Sequence, residues 1–271
     1  MTRITVSVIS TGESARLIPC LESLAAQQFD GTLAVVVVQN GVDDGGDELA
    51  RQVIPDVRVL RNEERRGFAE NHNAALRSVP CDFGLILNPD VVLAPNCIRE
   101  FISAMQRHPG AAVVAPLLSF PSGDAQPSAR RFPRVWGTVV RRTPLRRVFA
   151  EQVARSGHYL PPPERDREID WALGACLFVR DAAWRALGGF DAKFSPLYVE
   201  DLDLAWRVWR AGWELWQTPM ARALHEHQAA TDKIFFDRRT LWHMRGMLRF
   251  VRKHPRILVS GRRPEHSGVV A

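Results

Sequence analysis

Short apolar runs rich in β-branched residues alternate with helix-like segments along the first third of the chain. Ile4–Ser10, Leu33–Val38 and Phe83–Leu87 each have the length of one buried strand. Glu13–Gln28 and Phe68–Leu76 carry apolar residues at helical spacing. Nearly continuous apolar strands that alternate with helices are typical of a parallel sheet covered on both faces. We therefore predict an α/β fold with a mostly parallel central sheet and helices on both faces.

The pattern changes near Pro116. Residues 119–168 are rich in Pro, Arg and Ser and predict a long loop region. Ile169–Val179 then predicts one strand, and helices are expected at Asp181–Leu187 and Glu200–Ala211. We place one core domain at 1–232 and a separate segment at 233–271, with an amphipathic helix and a basic tail.

The charge and the cysteines of the chain indicate its kind of partner and its cell compartment. The chain carries 36 Lys and Arg against 30 Asp and Glu, a formal net charge of +6, which favours an anionic partner. No apolar stretch approaches the length of a membrane span, and the start does not resemble a signal peptide. The four scattered cysteines have no metal-binding spacing and are expected to be reduced thiols. These features predict a cytoplasmic protein.

Polar residues follow three of the predicted strands. They are Thr11, Gly12 and Glu13 after the first, Gln39, Asn40 and Gly41 after the second, and Asn88, Pro89 and Asp90 after the next. The carboxyl ends of parallel strands share one edge of a sheet, where ligands bind. Asn, Asp and Gly are also common turn formers, but three such ends in one sheet favour a binding site.

Asn88 and Asp90 offer two oxygen donors at the end of a buried strand. Such donors suit Mg²⁺ or Mn²⁺, which shares its remaining positions with a substrate diphosphate. The alternative is that Asp90 caps the helix expected at Pro95–Met105.

A second motif spans Gly67–Asn73 at a predicted helix start. Gly67 permits a close backbone approach, and the amides of Asn71 and Asn73 suit ribose or phosphate oxygens. Arg65 and Arg66 stand just before them. A solvated helix N-terminus explains the same residues equally well.

Three acids and two histidines are further candidates for catalysis or metal binding. Glu200, Asp201 and Asp203 open a predicted helix, so they are either first-turn acids that favour the helix dipole or, for Asp201, a general base. His225 and His227 alternate after an apolar stretch and could contact a metal or a phosphate, although structural histidines are commoner.

Seven segments in one order then carry a family resemblance: 6–11, 38–41, 66–73, 87–91, 171–176, 188–191 and 198–207. Together they resemble the family 2 glycosyltransferases with a GT-A fold. Within that family the chain is most similar to bacterial, dTDP-rhamnose-type rhamnosyltransferases of cell-wall and O-antigen assembly, which residues 127–133 also resemble. The resemblance implies a nucleotide-binding half at 1–118 and an acceptor half at 119–232.

Roles follow from the resemblance position by position. Asp90 with His225 would hold Mg²⁺ or Mn²⁺, with His227 as an alternative to His225, and Asp201 beside Glu200 would be the general base. The implied substrate and nucleotide contacts are Thr11, Glu13, Gln39, Asn40, Gly67, Phe68, Asn71, Asn73, Asn88, Arg130, Trp171, Gly174 and Ala175. Gln39 replaces an aspartate usual in the family, which leaves uridine and thymidine both open.

The implied activity is inverting, metal-assisted transfer of a sugar, rhamnose in particular, from a nucleoside diphosphate to a cell-envelope glycan or polyprenyl-diphosphate-linked acceptor. Expected partners are dTDP-rhamnose or a UDP-sugar, that acceptor, and an anionic membrane surface on the inner face of the cell membrane; a homodimer is compatible with them. The last helix, with Arg245 and Arg249, could lie on such a surface or pack on the core.

Two rival functions use the same features. A sugar nucleotidyltransferase also needs carboxylates and a nucleotide pocket, but Ser10–Arg16 is a poor glycine-rich phosphate loop. A non-catalytic nucleic-acid-binding protein would explain the arginines. The chain has no zinc spacing, RNA-binding strand signature or recognition helix, so we expect no nucleic-acid partner.

Overall fold

The computed structural model describes residues 1–12, 14–41, 45–133, 159–226, 238–257 and 263–264. Glu13 and His227, both predicted to lie in the site, fall outside the described residues. The strands are β1 (Thr2–Ser10), β2 (Gly31–Asn40), β3 (Arg58–Asn62), β4 (Phe83–Leu87), β5 (Val91–Leu93), β6 (Ala111–Ser119), β7 (Ala129–Arg130), β8 (Arg167–Glu168), β9 (Trp171–Ala172), β10 (Cys176–Arg180) and β11 (Glu214–His225). The helices are α1 (Ser14–Ala25), α2 (Gly46–Val53), α3 (Phe68–Ser78), α4 (Cys97–Arg107), α5 (Asp181–Leu187), α6 (Glu200–Arg210) and α7 (Arg238–Lys253), with a 3₁₀ turn at Ala192–Phe194.

One large sheet organises the chain, in the order β3-β2-β1-β4-β10-β6-β11-β5, and β8 also pairs with β11. Parallel pairing links β3, β2, β1 and β4, as well as β6 and β11. Because β10 is antiparallel to both β4 and β6, six strands run one way and three run the other. The predicted mostly parallel sheet is confirmed.

Helices cover both faces of this sheet. Alternate side chains of β1 point to opposite faces. Ile4, Val6 and Val8 join the core beneath α1, α2 and α4. Ser7 instead contacts α3, and the second core continues from α3 through α5 and α6 to α7. All four cysteines are buried free thiols, as predicted.

The single strand predicted over Ile169–Val179 is wrong. The segment divides because β9 leaves the main sheet to pair with β7 in a separate two-stranded sheet, and only β10 enters the space between β4 and β6. The turn between them contains Gly174. This division carries the backbone of residues 173–175 across the edge where the other strands end.

The last helix packs on the core by one face and is open on the other. Phe250 is fully buried and its ring meets Trp206 edge-on at 6.0 Å. A Cβ on Gly246 would lie 2.9 Å from Val199 Cγ2, so glycine allows α7 to approach the residues before α6 closely. The predicted packing on the core is therefore confirmed for this face. Within the described residues, no helix is long and apolar enough to cross a membrane.

Candidate active site

The polar residues after β1 and β2 lie at one edge of the sheet, as predicted. β1 pairs with β2 through Ser10 and Gln39, and both residues are buried. Asn40 is buried beside them, and Thr11 is partly exposed just beyond β1. The carbonyl ends of the strands thus form the floor of a polar edge open to a ligand.

Three asparagines fix the loop that follows β3. Asn62 Nδ2 donates to Asn40 Oδ1 at 3.1 Å and to Asn71 Oδ1 at 2.7 Å. The amides of Asn40 and Asn71 in turn donate to the carbonyl of Arg66 at 2.9 and 3.2 Å, and the Arg66 N–H donates to Asn40 Oδ1 at 2.8 Å. Because Asn71 is buried in this network, the alternative of a solvated helix terminus is wrong for it.

Two glycines let this loop lie against the sheet edge. Gly41 has a φ of 71°, and a Cβ there would fall 2.7 Å from the Arg65 backbone nitrogen. Arg65 Nη2 donates to the Thr11 carbonyl at 3.1 Å, while the Arg66 side chain is exposed. At Gly67, an added Cβ would approach Ser195 Oγ to 2.6 Å. The close packing holds two cationic side chains beside the ends of β1 and β2.

Asn62 anchors the loop, so we expect Asn62→Ala to lower stability by about 2 kcal/mol, since it leaves a buried amide oxygen of Asn71 without its donor. It should also weaken nucleotide binding at this edge, because Asn62 no longer orients the Asn40 and Asn71 amides that hold the Arg66 backbone. Urea unfolding and equilibrium nucleotide binding measure the two effects. Glu63→Ala, at the exposed neighbouring position, is the matched control. Equal behaviour of the two variants would contradict the role of the network.

Asn73 makes a structural contact. Its Nδ2 donates to the Phe190 carbonyl at 2.8 Å, and its Oδ1 accepts from the Phe190 N–H at 2.9 Å. A Cβ on Gly189 would lie 2.4 Å from the same Oδ1. The buried amide thus holds the turn at Gly188–Asp191 against α3, and we leave Asn73 out of the ligand contacts proposed below.

Asp90 and His225 meet between the end of β4 and the start of β5, because β5 and β11 are antiparallel and pair Val91 with His225. Asp90 Oδ1 lies 3.4 Å from His225 Nε2, longer than an ordinary hydrogen bond. His225 Nδ1 lies 2.8 Å from Gln126 Oε1. When Nδ1 donates to that oxygen, a neutral ring presents a lone pair to the Asp90 carboxylate. A cation between them would relieve this opposition of two acceptors.

Asp90 has the properties of a metal ligand. Its Oδ1 is buried and accepts no hydrogen bond from the described residues. Burial acts to raise the pKa of Asp90, but a proton on His225 Nε2, when the ring carries one there, and the charge of Arg16 outweigh it, so the pKa lies below its usual value. Asp90 is separated from α4 by β5, and Asn96 is the residue that precedes α4. The helix-cap alternative for Asp90 is therefore wrong.

The donor set around Asp90 is small. No group of three or more His, Cys, Asp or Glu side chains in the described ranges is arranged to hold a metal. Mg²⁺ and Mn²⁺ need only one or two protein ligands when a diphosphate and water fill the remaining positions. Asp90 and His225, with Asn88 two residues away, fit that requirement.

The backbone of residues 174–175 connects Asn88 to Asp201. The Asn88 N–H donates to the Ala175 carbonyl at 2.8 Å, which ties the start of the metal motif to this segment. One residue earlier, the Gly174 N–H donates to Asp201 Oδ2 at 3.1 Å. A pair of adjacent residues thus links the segment that leads into Asp90 to the Asp201 carboxylate.

Asp201 is held in place at the start of α6. Its Oδ1 accepts from the Leu202 N–H at 2.8 Å, and a Cβ on Gly174 would lie 3.7 Å from Asp201 Cβ and 3.4 Å from the Phe68 ring. Burial raises the pKa of Asp201 above its usual value, although these backbone donors and the charge of Arg130 act against the rise. A raised pKa makes the carboxylate a stronger proton acceptor.

Glu200 is the more deeply buried neighbour. Burial and the adjacent Asp201 charge both raise its pKa, and its Oε2 accepts no hydrogen bond in the described part of the chain. Tyr198 and Val199 precede it with φ angles of 84° and 78°. Such angles are rare for bulky residues such as Tyr198 and for β-branched ones such as Val199, and they cost on the order of 1–3 kcal/mol each. The surrounding packing therefore imposes the position of this acid pair.

Arg130 extends the site toward the small sheet. Its guanidinium stacks over Trp171 at 4.8 Å and over Tyr159 at 4.9 Å, and Trp171 Nε1 donates to the Arg131 carbonyl. Trp171 is thereby locked on the same side as Gly174 and Asp201. Among the predicted site residues, printed contacts join Asp90 to His225 and Gly174 to Asp201 and Phe68, whereas the Asn73 amide makes a structural contact.

Two residues of the site were missed from the sequence. Asn62 ends β3 at the same edge as Asn40 and could have been found by the rule that located the other strand ends. Gln126 orients His225 from 99 positions away, within a loop, and no sequence pattern signals that contact.

Asp203 locks α7 onto α6. The fully buried carboxylate accepts from Arg207 at 2.7 Å, from Lys253 at 2.8 Å and from His254 at 2.8 Å. Burial acts to raise the pKa of Asp203, but these partners lower it to about 2. The reading of Asp203 as a simple first-turn acid is therefore incomplete, because the carboxylate also holds the last helix.

The lowered pKa of Asp203 predicts a pH dependence of stability. A carboxyl group whose folded pKa lies below its unfolded value stabilises the fold above about pH 4, and this contribution disappears as the pH falls toward 2. It amounts to about 2 kcal/mol at pH 7 and roughly half of that at pH 3. We expect the stability gap between wild type and Asp203→Asn, measured by urea unfolding, to shrink over that range. A gap that does not change with pH would contradict the ion-pair role.

The chain is similar in sequence to proteins of a known family. Residues 5–159 match the family model described as glycosyl transferase family 2, and residues 85–266 match that of glycosyl transferase family group 2. The chain is 31% identical over 220 residues to an N-acetylglucosaminyl-diphospho-decaprenol L-rhamnosyltransferase of Mycobacterium tuberculosis, covering 74% of this chain and 69% of the relative. It is 24% identical over 193 residues to rhamnosyltransferase WbbL of Escherichia coli K12, covering 68% and 70%.

A solved structure agrees with the fold. GalNAc-T7, crystallised with UDP, GalNAc and Mn²⁺, superposes with a TM-score of 0.67 at 14% identity. The match covers 93% of this chain, which spans about half (48%) of that structure's chain. At this identity the likeness shows a shared fold.

Proposed function

The chain belongs to the glycosyl transferase family 2 and is a glycosyltransferase with a GT-A fold. From this we propose that it moves rhamnose from a nucleoside-diphosphate donor to a polyprenyl-diphosphate-linked acceptor of the bacterial cell envelope. The observation that supports the proposal is the pair of hydrogen bonds Asn88–Ala175 and Gly174–Asp201, which links the segment of the proposed metal ligand Asp90 to the proposed base Asp201.

The proposed donor site is the edge formed by β1, β2 and β3, in residues 1–118. Gln39 and Thr11 supply polar groups for the base and ribose, together with Glu13 outside the described residues, while the Asn40 amide holds the adjoining loop. Arg65 and Arg66 place positive charge beside them, which suits a diphosphate. Gly67 and Phe68 border the proposed donor site next to these arginines. The Phe68 N–H donates to the Pro196 carbonyl at 2.9 Å.

Asp90 and His225 would hold Mg²⁺ or Mn²⁺. A bound ion of this kind neutralises the charge that develops on the departing nucleoside diphosphate. The chain's own contribution is to keep Asp90 ionised and to orient the His225 ring through Gln126. Mn²⁺ in the structure of GalNAc-T7 supports this proposal.

Asp201 is proposed as the base that takes the proton from the acceptor hydroxyl during in-line attack on the anomeric carbon. Its two oxygens are fixed by the Gly174 and Leu202 N–H groups, so no reorganisation of the side chain is needed when the proton moves. With its raised pKa, Glu200 is suited to remain protonated beside Asp201, so that only one of the two acids carries charge.

The acceptor is proposed to approach from the side of residues 119–232, across Trp171, Gly174 and Ala175. Arg130, held between Trp171 and Tyr159, offers a planar cation to a phosphate of the acceptor. Rhamnose and a lipid-linked acceptor are supported by the name of the mycobacterial relative. On this proposal the protein works at the inner face of the cytoplasmic membrane, where such lipids are built.

A donor screen tests the proposed function. Nucleoside diphosphate release would be followed with dTDP-rhamnose, UDP-hexoses and GDP-mannose, with and without Mn²⁺, in the presence of a short-chain prenyl-diphosphate-linked N-acetylglucosamine. We expect metal-dependent release with dTDP-rhamnose. Preference for another donor would overturn rhamnose but not transfer, whereas pyrophosphate release from a nucleoside triphosphate and a sugar phosphate would identify a nucleotidyltransferase.

A further inference from the structure

The outer face of α7 exposes an unusual set of side chains. Leu241, Met244 and Leu248 are 61%, 58% and 51% exposed, and they make up three of the six exposed large hydrophobic residues among those the structure describes. Their spacing of three and four residues places them in one row along the helix. A row of three large apolar side chains turned to solvent predicts an interaction surface.

A basic row runs beside the apolar one. Arg245, Arg249 and Arg252 are all exposed and recur at spacings of four and three; Arg245 and Arg249 each directly follow an apolar residue of the first row, and Arg252 continues the basic row. The opposite face of the helix is committed to the protein, through buried Phe250 and the close approach of Gly246 to Val199. We call the two outward rows together the α7 face.

From these contacts we propose that the α7 face docks on the anionic surface of a lipid bilayer. An apolar row flanked by arginines is the pattern of a helix lying in the membrane interface, with its apolar side chains between the acyl chains and its cations among anionic headgroups. A partner protein with an apolar groove would not by itself require three arginines in register, whereas an acidic lipid surface matches both rows.

Docking through α7 would bring the acid pair Glu200 and Asp201 close to the membrane surface. The Tyr198 ring lies 6.0 Å from the His243 ring, and the Tyr198 carbonyl lies beneath Gly246, so α7 covers the two strained residues that precede Glu200 and Asp201. A helix is about 10 Å across. Docking by the outer face therefore sets the acid pair roughly one helix diameter from the lipid headgroups, where a lipid-linked acceptor presents its sugar. This inference rests on the proposed lipid-linked acceptor.

Vesicle flotation tests the docking with the full-length protein. We expect binding to vesicles of phosphatidylcholine with about 30% phosphatidylglycerol, weak binding to phosphatidylcholine alone, and release at high salt. Arg245→Gln/Arg249→Gln/Arg252→Gln should lower the partition coefficient roughly 100-fold, at about fivefold for each charge. Met244→Ser/Leu248→Ser should lower it at least about 10-fold.

Matched controls carry the same chemical changes elsewhere on the surface. Arg77→Gln/Arg99→Gln/Arg165→Gln removes three exposed arginines away from α7, and Met220→Ser removes an exposed methionine of β11. Both should bind vesicles as wild type does. Loss of binding in the arginine control equal to that in the α7 triple variant would show that net charge alone acts, and would overturn the proposal.

Activity and self-association separate the remaining outcomes. The α7 variants should retain transfer to a water-soluble short-chain acceptor and lose it with acceptor embedded in anionic vesicles. If wild type fails to bind anionic vesicles, or if the α7 variants only convert a dimer to a monomer in sedimentation velocity, the α7 face does not dock on lipid. Vesicle binding without turnover of any nucleotide sugar would instead contradict the proposed function and leave the docking intact.

Discussion

Asp201→Asn is expected to reduce sugar transfer by about 10²–10⁴-fold, the range for loss of a positioned general base, while donor binding stays within about twofold of wild type. Asparagine keeps the shape of the side chain and retains an oxygen for the hydrogen bond from Gly174 or Leu202. It cannot accept the proton of the acceptor hydroxyl. Single-turnover product formation and equilibrium donor binding measure the two quantities separately.

The neighbouring acid provides a comparison for Asp201. Since burial raises the pKa of Glu200, Glu200→Gln resembles its protonated form, and we expect a much smaller loss of transfer than in Asp201→Asn. The raised pKa of Asp201 should also shift the acidic limb of the pH–rate profile above that of an ordinary aspartate, because the base acts only when deprotonated. Full transfer in Asp201→Asn would show that another group takes the proton.

Asp90→Ala is expected to abolish the stimulation of donor binding by Mn²⁺, which we place at about 10–100-fold by analogy with other changes at metal sites. The variant removes the buried, ionised oxygen that faces His225, so the ion loses its anionic protein ligand. Donor titrations with and without Mn²⁺ measure the stimulation directly. Gln126→Ala should lower it by a smaller factor, because His225 keeps its place in β11 and loses only the partner that orients its ring.

An exposed aspartate serves as the matched control for Asp90. Asp124 lies in a surface turn, where its side chain accepts from Ser122, and Asp124→Ala should leave the response to Mn²⁺ unchanged. Metal-stimulated binding that survives in Asp90→Ala would place the ion on other groups and remove Asp90 from the metal site.

Local sequence pattern predicted the first half of the fold well. β1, β4 and α3 lie where apolar period and polar strand ends placed them, because each is a continuous run whose burial depends on its own residues. The second half depends on distant partners. Residues 176–180 alone do not indicate that β10 inserts antiparallel between β4 and β6, since those strands lie about 90 and about 65 residues earlier.

Some residues of the candidate site could likewise be predicted from local sequence, and others could not. The oxygen donors at the strand ends could be located from the residues themselves, since parallel strands bring their carboxyl ends to one edge. The role of Asp201 as a base could be predicted only from the family resemblance, because an acid at a helix start is also explained by the helix dipole. The link from Asp201 through Gly174 and Ala175 to Asn88 could not be predicted from local sequence, because it depends on β9 leaving the main sheet to pair with β7.

The last helix shows what periodicity leaves undecided. Its apolar and basic residues fitted both packing on the core and lying on a membrane. The structure gives it two faces, with Phe250 buried in the core and Leu248 turned to solvent. Which apolar residues of an amphipathic helix face the protein depends on what it packs against, and here the contact is fixed by the Asp203 carboxylate, which binds Lys253 and His254.

The anomeric configuration of the product tests the central claim most directly. A single in-line displacement with Asp201 as the proton acceptor inverts the configuration at the transferred carbon. NMR of the isolated product should therefore show the anomer opposite to that of the nucleotide-sugar donor. A product that retains the donor's configuration would contradict the account, because it requires either a covalent sugar–enzyme intermediate or attack from the leaving-group side.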